Sequence, residues 1–222
     1  MRTLVSAIAI AAVLAAAIAA GLWLRPGGPS PEKLAHLLQP RITTLPATAV
    51  LQVTAKGDPN AVAGRAFGLL FKTYFRIPGV PRMGPGVPAP RARWPVPEGQ
   101  PRTEWVGTYA LPVPATVTAL PAGAEAGGLR VELSRWEYGE VAEILHVGAY
   151  SEEAPTIERL NRFIEQSHHA VAGEHEEEYV KGPGLFGRGD PRRYLTIIRR
   201  RVRPVATPAA GTPQVPEAAL SR

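Results

Sequence analysis

The sequence predicts an α+β domain made of a duplicated unit, preceded by one N-terminal transmembrane helix. Two segments, "AVLQVTAKGDPNAVAGRAFGLLF" and "EILHVGAYSEEAPTIERLNRFIE", carry the prediction. Each reads as a strand, a short turn, a proline near a helix start and an amphipathic helix. Strands follow both helices, so the order of elements repeats although few residues are shared. A duplicated unit of this kind predicts a cleft where its two copies meet.

Residues 1–25 are predicted to form a single-pass membrane anchor. An uncharged run of residues 3–24 lies between Arg2 and Arg25, and about 20 apolar residues suffice to cross a bilayer. A cleaved secretory signal with a small-x-small site at residues 17–19 is the alternative. Arginine at both ends leaves the orientation open, with an extracytoplasmic domain favoured.

Composition divides the rest of the chain. Proline accounts for 24 of the 222 residues, about twice its usual share of roughly 5%. Residues 26–40 are predicted to be a proline-rich stalk with one short helix around Glu32 to Leu38. Residues 41–203 form the folded domain, and the polar, proline-containing tail 204–222 is predicted to be disordered.

In the first half of the domain, "ATAVLQVTAKG" is typical of a strand. Asp58 and Pro59 then predict a helix start, with an N-cap followed by proline at the first helical position. Residues 77–101 are too rich in Pro and Gly to be regular and are predicted to be a long loop. "RTEWVGTYALPV" is a second strand. The predicted helix buries a stripe made of Ala63, Phe67, Leu70, Phe71 and Tyr74.

In the second half, "LRVELSRWEYGEVAEILHVGAY" is predicted to be a hairpin that turns at Tyr138-Gly139. A helix over residues 155–170 follows, and two strands near 176–180 and 194–202 close the domain. The stripe of this second helix consists of Ile157, Leu160, Phe163 and Ile164.

The composition and motifs exclude several kinds of site. The chain has no cysteine, which removes disulfides, thiol nucleophiles and zinc–thiolate sites. No phosphate-binding loop, dinucleotide glycine pattern or nucleophile elbow is present, and the histidines lack a metal-binding spacing. We therefore expect no cofactor and no metal. The net charge of +6 favours anionic surroundings such as phospholipid, but without a helix-turn-helix segment we expect no direct nucleic-acid binding.

The acidic run "GEHEEEYVKGP" raises the question of whether any of its carboxylates faces inward. On a strand, His175, Glu177 and Tyr179 share one face, and Glu176 and Glu178 share the other. One interpretation leaves every carboxylate in solvent. In the other, the Tyr179 face points inward and carries Glu177 with it, while Glu176 and Glu178 face solvent. A carboxylate among aromatic rings attracts a lipophilic cation or, with a raised pKa, acts as a general acid or base.

Three motifs in order resemble the GyrI-like small-molecule-binding domain family, above all its stand-alone branch. That family includes effector-binding domains of bacterial multidrug-responsive transcription activators and a gyrase inhibitor. The likeness is strong over residues 136–202 and looser over 43–114. The first motif matches at His146, Gly148 and Tyr150, with Ala149 in place of proline; the second at His175, Glu177, Tyr179 and Pro183; the third at Leu195, Thr196, Arg199 and Val202, with Arg201 in place of proline.

The resemblance implies a tandem β-α-β-β repeat with pseudo-twofold symmetry, the effector-binding domain fold. It further implies that Glu177 lies in an aromatic pocket and contacts lipophilic, cationic ligands. Some stand-alone members look like hydrolases that open cyclopropane-bearing electrophiles with that glutamate and a tyrosine. The long proline-rich loop and the "GPGLFGRGDP" segment both depart from the family pattern beside the expected cleft.

Three functions follow as expectations. The first is a membrane-anchored module that binds a small lipophilic or cationic molecule. The second is a hydrolase of small electrophiles, with Glu177 and Tyr179 as catalytic residues. The third is a protein-interaction or inhibitor module. The expected ligand-binding residues are Glu177, Tyr179, His146, Tyr150, Trp105, Tyr109 and Trp136.

We expect the full-length protein to sediment with membranes, and a variant lacking residues 1–24 to be soluble, because the uncharged run is long enough to span a bilayer. Ultracentrifugation of cell extracts followed by immunoblotting measures this. An intact N terminus in the soluble fraction would contradict the anchor. A mature chain that starts after Ala19, identified by N-terminal sequencing, would identify a cleaved signal instead.

Overall fold

The computed structural model describes residues 31–94, 101–182 and 189–205. The predicted membrane anchor and most of the tail lie outside these residues. Among the described helices, none is long and apolar enough to cross a membrane.

Within the described residues, two α-helices pack on a large antiparallel sheet. The helices are α1 (Pro59–Tyr74) and α2 (Ala154–Gln166), and short 3₁₀ turns lie at Pro31–Leu37, Gly84–Gly86, Arg102–Glu104, Tyr150–Glu152 and Pro191–Arg193. The strands are β1 (Arg41–Leu45), β2 (Thr48–Lys56), β3 (Arg91–Trp94), β4 (Val106–Pro112), β5 (Glu125–Ala126), β6 (Leu129–Arg130), β7 (Glu132–Trp136), β8 (Gly139–Val147), β9 (His169–Lys181) and β10 (Leu195–Pro204).

The strand order reflects an internal duplication. The eight-stranded sheet runs β1-β8-β10-β9-β3-β4-β2-β7, while β5 and β6 form a separate pair. Two units, β2-α1-β3-β4 and β8-α2-β9-β10, occupy opposite halves of this sheet. From the outer side of each half inward, the strands follow the same order: β2, β4, β3 in one unit and β8, β10, β9 in the other. The units meet at β3 and β9, where Ala92 pairs with Glu177. The predicted repeat of strand, helix and two strands is therefore confirmed, and its order is that of a pseudo-twofold pair.

The sheet is strongly curled, because short connections join its two ends. Only Pro46 and Ala47 separate β1 from β2, and only Glu137 and Tyr138 separate β7 from β8, yet the strands of each pair belong to opposite ends of the strand order. Three peptide units span about 10 Å, so the ends must lie close together. The predicted hairpin at Tyr138-Gly139 is wrong: β7 pairs with β2, and β8 pairs with β1 and β10.

The segment predicted to be one long loop contains a central strand. Arg91–Trp94 pairs with β4 on one side and with β9 on the other. The strand is four residues long and follows a run of Pro and Gly, so its local sequence resembles a loop. Long-range pairing with two neighbours sets its conformation.

Both helices pack on one face of the sheet, called here the helix face. The cross-strand partners Val53, Tyr109, Ala92, Glu177 and Ile198 trace this face from β2 to β10. Helix α1 packs there over the β2–β4 half, and α2 covers the β8–β10 half. The two helices therefore share one face of the sheet. At the start of α1, the Asp58 carboxylate accepts a hydrogen bond of 2.9 Å from the Asn60 amide, as its N-cap role predicts.

The second half of the predicted stalk is part of the folded domain. The Pro31–Leu37 turn places Leu37, which is 3% exposed, against a small apolar cluster on the opposite side of the sheet. A short helix was expected in this region, but not its packing. The cluster contains Leu37, Leu145, Val180, Leu195 and Ile197.

We expect Leu37→Ala to lower the free energy of unfolding by about 2 kcal/mol, because truncation of a buried leucine loses contacts and leaves a cavity. Leu38→Ala is the matched control, since Leu38 is exposed and should change stability by less than about 0.5 kcal/mol. Urea denaturation followed by tryptophan fluorescence measures both. Equal effects of the two substitutions would show that this segment does not stabilise the domain.

Candidate functional site

The inward-facing side of the acidic run lies at the junction of the two repeated units. Glu177 is 1% exposed and pairs with Ala92 of β3 and Ile198 of β10. Tyr179 shares its face and belongs to the core cluster packed against α1. The structure therefore places Glu177 on the helix face, as the second interpretation of the acidic run predicted.

His175 holds one oxygen of the Glu177 carboxylate. Its Nε2 lies 2.8 Å from Oε1 of Glu177, and both side chains are buried. The His175 ring packs against Trp94 of β3, with ring centroids 5.4 Å apart. Glu177 Oε2 is buried and forms no hydrogen bond of good geometry within the described ranges, although the Glu153 carboxyl group and the Tyr179 hydroxyl lie close to this carboxylate. One carboxylate oxygen is thus fixed, and the other is left to interact with a ligand.

Glu153, immediately before α2, is the second carboxyl group of this site. It is 3% exposed and does not cap the helix that it precedes. Burial, and next the neighbouring Glu177 charge, raise the pKa of Glu153 well above its usual range. The raised pKa favours the protonated form of Glu153 over a wider pH range than for an ordinary glutamate. No sequence pattern distinguishes Glu153 from Glu152 and Glu158, the other acidic residues near the start of this helix.

Aromatic rings surround the carboxyl pair. The Tyr179 ring lies 5.5 Å from Tyr150 and 5.9 Å from Phe67, and Phe67 lies 5.4 Å from Tyr109, all in edge-to-face contacts. The hydroxyls of Tyr109, Tyr150 and Tyr179 are buried without a hydrogen-bond partner in the described part of the chain. Burial raises the pKa of all three phenols, so each remains a neutral donor.

His146 orients the loop that carries Tyr150. Its Nε2 lies 3.1 Å from the Ala149 carbonyl, which only accepts, so Nε2 carries the hydrogen. Nδ1 then accepts from the Thr156 hydroxyl at 3.0 Å. Burial lowers the pKa of His146, in keeping with a neutral ring. Gly148 has a φ of +145°, and a Cβ there would lie 3.2 Å from His146 Nε2, which explains the glycine in this motif.

The two tryptophans predicted to line the site lie in different places. Trp105 is buried in the core cluster on the helix face, near the start of α1, where its carbonyl accepts from the Gly57 amide. Trp136 belongs to a cluster on the other face. Its indole donates to Gln52 Oε1 at 3.0 Å, and Arg93 stacks 3.8 Å above its ring. The expectation that Trp136 lines the Glu177 site is therefore wrong, because β7 pairs with β2 at the edge of the sheet.

The prediction that Glu176 and Glu178 face solvent is wrong. Glu176 is 3% exposed and accepts from Arg93 at 2.7 Å and from Arg199 at 3.3 Å. Glu178 forms ion pairs with Arg91 at 3.1 Å and with Arg199 at 2.7 Å. We call this side of β3, β9 and β10 the charged face. Its arginines lie on other strands, so the acidic run alone gave no sign of these pairs.

Comparisons with known proteins identify the fold. No protein-family model and no curated protein match the chain. A hydrolase from Listeria innocua is 22% identical with a TM-score of 0.61, covering 78% of this chain and 96% of that one. An uncharacterized conserved protein from Listeria innocua is 24% identical with a TM-score of 0.63, covering 78% and 97%. The C-terminal domain of EcmrR is 13% identical with a TM-score of 0.53, covering 75% and 98%. The chain therefore shares the fold of these three proteins, an α+β fold with a large curled antiparallel sheet.

We expect Glu153→Gln to raise the free energy of unfolding, compared with wild type, more at pH 8 than at pH 4. Because the folded state raises the pKa of Glu153 above its ordinary value of about 4.3, folding takes up a proton in the window above that value. The free energy of unfolding then falls as the pH rises, and glutamine removes this decline. Urea denaturation across the pH range measures the difference between variant and wild type.

Glu158→Gln is the control for this experiment, since Glu158 lies exposed on the same helix. Its difference from wild type should not change between pH 4 and pH 8. The subtraction also cancels the contribution of His146, which titrates in both proteins. A Glu153→Gln difference that is equally flat would contradict a raised pKa of Glu153.

Proposed function

We propose that this protein is a small-molecule-binding module whose ligand is a lipophilic cation held at Glu177. The proposal rests on one observation: a buried carboxylate with one oxygen held by His175 and the other without a hydrogen bond of good geometry in the described residues, among tyrosine rings. A buried charge is costly unless it is paired and hydrogen-bonded. A ligand cation beside Oε2 supplies that pairing.

The surrounding groups suit the rest of such a ligand. The faces of Tyr150 and Tyr179 offer apolar surface and attract positive charge, and their neutral hydroxyls add hydrogen bonds. Because the raised pKa of Glu153 favours its neutral form, this carboxyl group adds less negative charge to the site than an ordinary glutamate would. This favours a monocation.

We also propose that residues 1–25 anchor the domain to a membrane, with the domain on the extracytoplasmic side. Lipophilic cations accumulate at bilayers, so an anchored site meets them at a higher local concentration. The net charge of +6 further favours a position close to anionic lipid.

A second candidate function is hydrolysis of a small electrophile, favoured by two neighbouring buried carboxyl groups, of which Glu153 has a raised pKa. For a cyclopropane conjugated to a carbonyl group, water adds to a ring carbon as Glu177 takes its proton. The ring C–C bond breaks, its electron pair moves onto the carbonyl oxygen, and that oxygen takes a proton from Glu153. The net change is addition of one water, and a proton transfer from Glu177 to Glu153 restores the pair. Tyr179 or Tyr150 orients the carbonyl oxygen in this mechanism.

We expect Glu177→Gln to weaken binding of a lipophilic cationic dye such as rhodamine 6G by about ten- to a hundredfold, because one charge-assisted contact in a desolvated site is lost. Glu174→Gln removes an exposed charge from the same strand and should change affinity less than about twofold. Fluorescence anisotropy of the dye with the full-length protein in detergent micelles measures both dissociation constants.

The outcomes separate the candidate functions. Equal losses in the two variants would show that only general charge attracts the dye and would refute the binding site. If Glu177→Gln leaves dye binding intact but abolishes hydrolysis of a cyclopropane-bearing electrophile, followed by chromatography, the hydrolase displaces the binding module.

A further inference from the structure

A second, chemically different cavity lies on the charged face of the sheet. Its volume is about 120 Å³, and it lies under Tyr138, in the connection between β7 and β8, and beside β3, β9 and β10. Glu177 is not among its lining residues and points to the other face. Its charged lining residues are Arg93, Glu174, Glu176, Arg199 and Arg201.

The buried carboxylate of this cavity is already saturated. Glu176 Oε2 accepts from Arg93 Nε at 2.7 Å. Its Oε1 accepts from the Tyr138 hydroxyl at 3.0 Å and from Arg199 Nη1 at 3.3 Å. Glu174, the other acidic residue, is exposed. Glu176 therefore has no strong acceptor position left for a cation or a further donor.

Donors remain in excess. Arg93 Nη2 is buried and has no acceptor among the residues described, although its guanidinium is held in place by stacking 3.8 Å above Trp136 and 4.9 Å above Tyr138. A buried N–H group without an acceptor costs free energy that a bound acceptor recovers. The cavity is thus lined by a guanidinium held in a fixed position, one N–H group of which the described protein groups leave unsatisfied.

Arg201 adds a second cationic group at the mouth of the cavity. The β9–β10 ladder is irregular between Arg200 and Val202, so Arg201 has no partner on β9, although it pairs with Val141 of β8. Its stem packs against Gly173, where a Cβ would come within 3.0 Å of Arg201 Cβ. Arg201 is exposed, and no ion pair of the described residues includes it. A larger residue at position 173 would displace it.

The charged face also carries more positive than negative groups. Together with Arg41 and Glu143 on the neighbouring strands β1 and β8, its ion pairs join four guanidinium groups to three carboxylates, and the cavity lining adds one group of each sign, Arg201 and Glu174. Arginine prefers to donate two parallel hydrogen bonds to a planar or tetrahedral oxyanion. An anion therefore satisfies both the charge and the donors. The residues of these pairs are Arg41, Arg91, Arg93 and Arg199 with Glu143, Glu176 and Glu178.

We propose that this cavity is a binding site for a small oxyanion, a carboxylate or phosphate group, held by Arg93 and Arg201. A volume of about 120 Å³ accommodates a few groups the size of a water molecule, which fits an anionic group of few atoms and excludes a bulky lipophilic ligand. The site is independent of the cation site at Glu177, which lies on the other face of the sheet.

The test titrates the full-length protein in detergent with sodium acetate, sodium phosphate and sodium chloride at constant ionic strength, followed by tryptophan fluorescence and thermal unfolding. We expect saturable binding of acetate or phosphate with a rise in melting temperature, and none with chloride. Response to acetate alone identifies a carboxylate site, and response to phosphate alone a phosphate site. An equal response to all three salts means general screening and overturns the proposal.

Substitutions locate the site. Arg201→Gln should weaken oxyanion binding about tenfold, the equivalent of one charge-assisted hydrogen bond, and Arg93→Lys should weaken it although the charge is kept. Glu174→Gln should strengthen it. Arg203→Gln is the matched control, an exposed arginine on the same strand outside the cavity lining. Equal effects of Arg201→Gln and Arg203→Gln would overturn the proposal, whereas Glu177→Gln should leave oxyanion binding unchanged.

Discussion

The pairing of β3 with β9 is the interaction on which the rest of the structure depends. It joins the two repeated units, and its register of Ala92 opposite Glu177 decides which side chains of β9 meet the helices. A slip by one residue would exchange the faces, placing Glu176 beneath the helices and Glu177 among the arginines. One short strand therefore fixes the helix-face carboxyl site and the charged face together.

The two faces treat neighbouring glutamates in opposite ways. Glu176 has donors on both oxygens, so its charge is compensated by the protein and serves to hold strands together. Glu177 has a hydrogen bond of good geometry on one oxygen only, and the pKa of Glu153 beside it is raised. Glu176 and Glu177 are both nearly fully buried, so burial does not distinguish them. The difference lies in hydrogen-bond saturation, which indicates where a ligand has a role.

Sequence patterns predicted what depends on local periodicity. Alternation placed Glu177 with Tyr179, and helical spacing found both helices. Long-range pairing caused the errors. Trp136 was assigned to the wrong face because β7 and β8 look like a hairpin, although they pair with strands at opposite ends of the sheet. The partners of Glu176 include Arg93, which is 83 residues away. Glu153 precedes a helix, where no period indicates burial.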